Sequence, residues 1–274
     1  MQDQKSNIVK KQIQLKELQN KLPIEIKGKK DQSFSFKDWS MEEEKQIAKI
    51  KEKNPSMGRF VSSVLCLMLK DLHGEPFNSK EDKEKILTIN QMPMGNILYM
   101  YIYLRYDQMG SELRLDFDCP FCANKIRNFT ATLDDIDVDC KVGDYEDLIE
   151  YKLKKPVTLD KGDQLIEKVK IGLSPWDIME RAESSGSFDE ATMKQHTFRY
   201  SIKEIVGVTG HVVDEFMKKL KKIDIEFLHK TISEHNAGPN LQAEVECSKC
   251  KQTAYKSINW GYDDFFGIGS LPQI

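Results

Sequence analysis

The chain has 274 residues, of which 39% are hydrophobic and 31% are charged, and its formal net charge is −3 at pH 7. This length allows a large hydrophobic core, whereas no apolar run approaches the roughly 20 residues that a membrane span requires. Because 41 basic residues nearly balance 44 acidic residues, the composition excludes a general electrostatic attraction to nucleic acid or to an anionic membrane.

The first 32 residues are polar and rich in lysine. Ile13, Leu15, Leu18 and Leu22 are scattered among them, a spacing typical of a weakly amphipathic helix. We therefore predict that residues 1–32 form an N-terminal extension, which is either a solvated tail or a helix that docks on a partner. The segment lacks the apolar stretch of a secretory signal.

Residues 33–112 are predicted to form a mainly helical N-terminal region. Phe34 and Phe36 alternate with polar residues as in a short strand. Ser40 and Glu43 then have the spacing of a capping box, which predicts the start of a charged helix.

Two apolar helices are predicted further along this region. Residues 60–72 are apolar nearly all round, which predicts a buried helix. Another helix follows Pro93, which suits a first helical turn, and ends at Gly110, which suits a C-cap. The tyrosines of this helix point all round it, so we expect them to pack in a core or interface rather than to form a base-stacking platform. They are Tyr99, Tyr101, Tyr103 and Tyr106.

Residues 136–238 are predicted to form an inserted α/β region. Two alternating segments on either side of a Gly-containing turn indicate a pair of strands. Asp224 precedes an apolar periodic segment, so we expect it to cap a helix. The predicted strands cover 150–158 and 165–173, and the predicted helices begin at Ser174 and cover 188–205, 214–222 and 224–234.

Two Cys-x-x-Cys pairs, far apart in the sequence, are its most informative feature. Apolar and polar residues alternate on both sides of each pair, which predicts a β-hairpin with the pair at its turn. We predict a first zinc knuckle hairpin over 113–135, and a second one with an aromatic C-terminal tail over 239–274. Two such pairs can complete one tetrahedral sulfur site that suits Zn²⁺. The predicted ligands are Cys119, Cys122, Cys247 and Cys250.

The predicted fold is therefore α+β, a helical domain with two β-hairpin zinc knuckles that form a zinc-ribbon-like site of four cysteines. Four thiolate ligands leave no coordination position for water or substrate, so the zinc is expected to be structural rather than catalytic. Cys66 lies in an apolar run and is predicted to be a buried apolar residue, and we assign no role to Cys140.

Two other interpretations of the cysteine pairs stay open. The run Cys-Pro-Phe-Cys at residues 119–122 resembles the redox motif of glutaredoxins, in which the first cysteine lies at a helix N-terminus that lowers its pKa. The residues that follow favour a strand instead. The same four ligands also suit an iron–sulfur cluster, although nothing else in the sequence indicates electron transfer.

Basic residues near both pairs suggest an alternative function, a zinc-ribbon protein that binds nucleic acid. The neighbouring Asp116, Asp118 and Glu246 argue against a continuous basic face. The basic residues in question are Arg114, Lys125, Arg127, Lys249, Lys251 and Lys256.

The sequence contains no Walker loop and no GxSxG, GxGxxG or HExxH motif. We therefore predict no catalytic residues, no small-molecule substrate and no enzymatic activity. Aromatic residues cluster near the C-terminal end, and such residues dominate interface hot spots. They are predicted to bind a partner protein, the alternative being that they cover the hairpins of the same chain. These residues are Trp260, Tyr262, Phe265 and Phe266.

The order of these features resembles the baseplate hub and tail-assembly proteins of T-even and related contractile-tailed bacteriophages. The resemblance covers residues 34–140 and 200–267. Its motifs are an early strand and charged helix at 34–53, the phrase Leu-Arg-Tyr-Asp-Gln-Met-Gly at 104–110, the Cys-Pro-Phe-Cys run, the second pair and Asp-Phe-Phe at 264–266. Lys251 stands where a glycine often follows the last cysteine.

This resemblance implies a non-enzymatic baseplate hub component or a tail-assembly chaperone that acts through protein contacts. The implied partners are other tail and baseplate proteins, such as hub, tape-measure or wedge subunits, and binding to membranes or nucleic acid is not expected. The implied location is the host cytoplasm during assembly or the virion baseplate.

Overall fold

A computed structural model of the chain describes residues 11–53, 56–143, 145–159, 165–184, 190–208 and 212–258. Helices and strands both occur along it, and its named strands pair antiparallel, which confirms the predicted α+β class. The strands are β1 Lys11–Gln14, β2 Phe34–Phe36, β3 Leu69–Leu72, β4 Glu75–Pro76, β5 Glu112–Asp118, β6 Lys125–Thr132, β7 Asp137–Cys140, β8 Leu148–Thr158, β9 Leu165–Gly172, β10 Ile202–Ile205, β11 Gly238–Pro239, β12 Gln242–Glu246 and β13 Thr253–Ser257. The helices are α1 Leu15–Leu18, α2 Met41–Lys53, α3 Met57–Met68, α4 Asp82–Gln91, α5 Met94–Met109, α6 Asp177–Ser184, α7 Glu190–Ser201, α8 Val213–Lys219 and α9 Lys222–His235.

The largest core surrounds α3 and α5, which are buried on most of their faces. The predicted capping box starts α2, because the Ser40 amide donates to a Glu43 carboxylate oxygen at 3.2 Å. Tyr99 and Tyr101 on α5 are fully buried, and Tyr99 stacks on Tyr103 with ring centroids 6.0 Å apart. The tyrosines therefore pack the core, as their helical spacing predicts.

Residues 11–24 belong to this core, so the predicted N-terminal extension is wrong from residue 11 onward. Strand β1 pairs antiparallel with β7, and Leu15 and Leu22 are almost completely buried. The buried Asn96 side chain accepts a hydrogen bond from the Ile24 amide and donates one to the Ile24 carbonyl, both at 2.9 Å. A short strand followed by one helical turn is too brief to produce a clear periodicity.

Two predicted helices end early and continue as strands. Helix α3 ends at Met68, and β3 then pairs with β2 instead of extending the predicted helix to residue 72. Helix α7 ends at Ser201, and β10 then pairs with β9. In both strands the first and last residues are buried, and over four residues this pattern fits a strand as well as a buried helix.

A second core lies within the predicted inserted region. Its three-stranded antiparallel sheet has the order β10-β9-β8, and α7, α8 and α9 pack with it. The predicted strand pair of this region is therefore observed. Several parts of residues 136–238 instead join the first core, among them β7, which pairs with β1, and the fully buried Trp176.

Asp224 does not cap α9, contrary to the prediction, because the N-cap position is Lys221. The Asp224 side chain is completely buried. Its carboxylate accepts hydrogen bonds from the backbone amides of Lys154 and Lys155 at 2.6 and 3.0 Å. These amides lie where the register between β8 and β9 shifts. The Asp224 carboxylate therefore provides the hydrogen-bond acceptors that the sheet does not provide for them.

Replacing Asp224 with alanine is expected to destabilise the protein by about 2–4 kcal/mol, because it leaves two amides without their acceptor in a buried place. The measurement is the free energy of unfolding in denaturant. Asp214→Ala is the matched control, because Asp214 forms an ion pair with Arg199 in which both side chains are about half exposed, and its loss should cost less than about 1 kcal/mol. Equal effects of the two substitutions would contradict the assigned role.

The segment that leads to the last two strands crosses α5 at Gly95. A Cβ atom on Gly95 would lie 1.8 Å from the Ala237 carbonyl oxygen, and Gly238 itself has φ +137°. The same segment is fixed by Asn236, whose side-chain oxygen accepts from the Ser174 amide at 3.0 Å. The backbones of α5 and β11 are therefore in direct contact, and this contact sets where the final hairpin starts.

Candidate metal centre

Each cysteine pair lies at the turn of an antiparallel hairpin. Strands β5 and β6 flank the first pair, and β12 and β13 flank the second. The two turns have the same backbone hydrogen bonds, which join the first cysteine to the fourth and fifth residues after it. In the first turn, the Ala123 amide donates to the Cys119 carbonyl and the Cys119 amide donates to the Asn124 carbonyl, both at 2.9 Å. In the second turn, the Lys251 amide donates to the Cys247 carbonyl at 2.8 Å, and the Cys247 amide donates to the Gln252 carbonyl at 2.9 Å.

Both turns hold a non-glycine residue in the left-handed region, Ala123 with φ 53° and Lys251 with φ 60°. This conformation costs a residue with a Cβ atom roughly 1 kcal/mol or more, whereas glycine adopts it freely. Ala123→Gly and Lys251→Gly should therefore each stabilise the metal-loaded protein by about 1 kcal/mol in denaturant unfolding. Ala243→Gly, inside β12, is the control and should destabilise it. Destabilisation by both turn substitutions would contradict this account.

The four sulfur atoms meet across the two hairpins, all within 4.8 Å of one another. The Sγ atoms of Cys119 and Cys250 are 3.7 Å apart, and those of Cys122 and Cys247 are also 3.7 Å apart. A regular tetrahedron with metal–sulfur bonds of about 2.3 Å has sulfur–sulfur edges of about 3.8 Å, whereas a disulfide bond is about 2.05 Å long. The arrangement therefore fits four separate thiols around a single ion.

A small apolar cluster surrounds these sulfur atoms. Cys119 is 3% exposed and Cys247 is completely buried, and both pack with Phe117, Val245 and Ala254. Asn124, which has no signal in the sequence as a residue of the site, also contacts this cluster, because its side-chain amide donates to the Cys247 sulfur at 3.8 Å. One cysteine of each pair is thus shielded from solvent, while Cys122 and Cys250 are partly exposed.

The charge of the thiols depends on the backbone amides of the turn. The Cys250 amide, together with that of Lys249, lowers the pKa of Cys247 to about 6. The Gln252 amide favours the thiolate of Cys250, but burial and the neighbouring thiols outweigh it and raise the pKa of Cys250 to about 12. Four thiolates this close repel one another, so full ionisation needs a cation between them.

The other two cysteines lie outside this cluster and differ chemically. Burial raises the pKa of Cys66 to about 12 and that of Cys140 to about 11. Both therefore carry neutral thiols at neutral pH. Cys66 is only partly buried, and Cys140 is fully buried in the first core.

The geometry disfavours both alternative interpretations of the cysteine pairs. Strand β6, rather than a helix, follows Cys122, and the buried Cys119 lacks the exposure of an attacking thiol. An iron–sulfur cluster needs room for sulfide ions between its ligands, whereas these sulfur atoms are spaced for one ion.

Acidic neighbours form ion pairs with two of the basic residues next to the cysteine pairs, Arg127 and Lys251. Arg127 lies 2.9 Å from an Asp118 carboxylate oxygen and 3.8 Å from one of Asp116. Lys251 lies 3.7 Å from a Glu246 oxygen. This pattern disfavours the alternative of a basic nucleic-acid-binding face.

The predicted partner-binding residues Trp260, Tyr262, Phe265 and Phe266 lie outside the described residues. The last described residue, Ile258, is 3% exposed, and its amide donates to the Leu241 carbonyl at 2.9 Å. The assignment of these aromatic residues therefore remains a prediction.

Comparison with protein families decides the class of the chain. The family model described as T4 bacteriophage base plate protein matches residues 17–266. The chain belongs to this family. The match spans both cysteine pairs of the baseplate protein, and it includes residues 17–33 and 141–199, which the sequence resemblance left out. Searches among curated proteins and among solved structures gave no match to the baseplate protein.

Family membership confirms the baseplate part of the resemblance and makes contacts with other tail or baseplate proteins the expected mode of action. None of the helices in the ranges described above has the length and hydropathy needed to cross a bilayer. The family match does not distinguish a hub component from an assembly chaperone.

Proposed function

We propose that this protein is a non-enzymatic component of the phage baseplate hub region, built around one structural zinc ion and acting through contacts with other baseplate proteins. The observation that supports the proposal most strongly is the family match over residues 17–266. The closed sulfur site adds to it, because four cysteine ligands leave no position for a substrate. A baseplate family also favours a structural role over catalysis.

Zinc is the ion that best suits this donor set. Four thiolates in tetrahedral arrangement select zinc or iron among the common metals, and the cytosol keeps such thiols reduced. We propose Cys119, Cys122, Cys247 and Cys250 as the ligands. Elemental analysis of the purified protein should give one zinc ion per chain. Stoichiometric iron together with visible absorption would show that the bound ion is iron instead. A folded protein without any metal would refute the site.

The proposed role is tested by following the protein through phage assembly. Quantitative mass spectrometry of purified virions and of assembly intermediates should find it in both if it is a baseplate component. Presence in intermediates but not in virions would replace this role with that of an assembly chaperone. Absence from both would contradict a role in tail assembly of either kind.

We further propose that Trp260, Tyr262, Phe265 and Phe266 bind the partner protein. Replacing all four with alanine should reduce co-purification with baseplate proteins more than tenfold, since a single hot-spot residue contributes about 2 kcal/mol or more. The melting temperature should change little. Phe121→Ala, which removes an aromatic side chain that is 57% exposed, is the control. Unchanged co-purification would contradict the assignment, and so would a large fall in melting temperature, which would indicate that these residues cover the hairpins.

A further inference from the structure

A groove of about 410 Å³ lies between the two hairpins that carry the cysteine pairs. Residues 129–132 of β6 line one side, and residues 242–244 of β12 line the other, with Tyr255 of β13 beside them. The residues are consecutive on both strands. Because successive side chains of a strand point to opposite faces, a groove that contacts consecutive residues runs along the edge of the strand rather than over one face.

Among the described residues, no strand pairs with the edges of β6 and β12 at this groove. In the part of the chain that the structure describes, β6 pairs with β5 alone and β12 pairs with β13 alone. Proteins usually protect such edges with lysine or proline, but residues 129–132 and 242–244 contain neither. The two edges thus offer backbone donors and acceptors to an added strand.

The charge and surface of the groove indicate what it would bind. Its described lining residues include Asp135, Asp137 and Glu244 and no lysine, arginine or histidine. Lys16 lies 3.7 Å from Asp135 at its margin. Tyr255 is 68% exposed and supplies an aromatic surface. An extended segment with basic side chains complements this combination.

We propose that this groove binds an extended, lysine- or arginine-bearing segment of a neighbouring baseplate protein, which adds as a strand to β6 or β12. The inference rests on the proposed function, since it names the kind of partner segment. The tail of the chain itself, residues 259–274, contains Asp263 and Asp264 and no basic residue, so its charge does not complement the groove.

The test uses the full-length, zinc-loaded protein and a model strand peptide of alternating valine and lysine, with an alternating valine and glutamate peptide as the control. Fluorescence anisotropy should show binding of the lysine peptide and not of the glutamate peptide. Hydrogen exchange should show that binding protects amides at 129–132 or 242–244. Glu244→Lys should weaken binding about tenfold, whereas Glu52→Lys, the same charge change at an exposed residue of α2, should leave it unchanged.

Equal binding of both peptides, an equal effect of the two glutamate substitutions, or protection confined to other strands would overturn the inference. A protein truncated after Ile258 tests whether the chain's own tail occupies the groove. If truncation alone exposes the amides at 129–132 and increases affinity for the lysine peptide, the chain's own tail fills the groove and the proposed partner is refuted. If the protein is present in virions but the peptide does not bind, this inference fails while the proposed function stands.

Discussion

Replacing Cys247 with serine is expected to abolish metal binding and separate the two hairpins, while both larger cores stay folded. An isolated two-stranded hairpin is marginally stable at best, and the apolar cluster around the sulfur atoms is small. The proposed zinc ion would therefore supply most of the free energy that holds the hairpins together, which for four-ligand zinc sites is on the order of 10 kcal/mol.

Hydrogen exchange is the measurement that resolves this outcome. Amides of β5, β6, β12 and β13 should lose protection in the Cys247→Ser protein, whereas those of α5 and of β9 should keep it. Cys66→Ser is the control, because Cys66 is partly buried outside the sulfur cluster, and it should retain the metal and full protection. Retention of stoichiometric metal by the Cys247→Ser protein, or unchanged exchange in all four strands, would contradict the role of the site.

Gly95→Ala is expected to destabilise the protein by about 2–4 kcal/mol and to weaken its metal affinity. Within a helix this substitution normally stabilises by about 1 kcal/mol. Here the added Cβ atom would lie 1.8 Å from the Ala237 carbonyl oxygen, so α5 and β11 must move apart, and such overpacking is costly. Because β11 leads directly into β12, the displacement also moves the second cysteine pair away from the first.

Gly110→Ala is the matched control for this prediction. Gly110 lies at the end of the same helix, has φ +83°, and has no atom within 4 Å of an added Cβ. Its substitution should cost about 1–2 kcal/mol through backbone strain and leave the metal affinity unchanged. Denaturant unfolding gives the stability, and competition with a chromophoric chelator gives the affinity. Equal metal affinities of the two variants would show that the crossing at Gly95 does not position the hairpin.

The sequence predicts the parts of the site that depend on local patterns. Alternating residues around each Cys-x-x-Cys pair determine the hairpins, and the two-residue spacing brings both thiols of a pair to one side of the turn. That the two pairs meet does not follow from either local pattern. It depends on how the first core places the segment around Gly238, which the structure alone reveals.

Other features escaped prediction because they depend on distant contacts. The N-terminal strand gains its stability from β7, more than 120 residues later in the sequence. Asp224 has the sequence context of a helix cap, but β8 offers it two amides that have no partner within the sheet. The groove between the hairpins depends on the relative position of two sheets, and no single segment of sequence encodes it.

The distance along the chain between the paired sulfur atoms has a consequence for synthesis. Cys122 and Cys247 are 125 positions apart, so ion capture closes a very long loop, with a correspondingly large entropic cost in an unstructured chain. During translation the first pair leaves the ribosome well before its counterpart exists. The second core, whose residues all precede Cys247, can fold in that interval and shorten the effective loop, so binding of the proposed ion would be a late step of maturation.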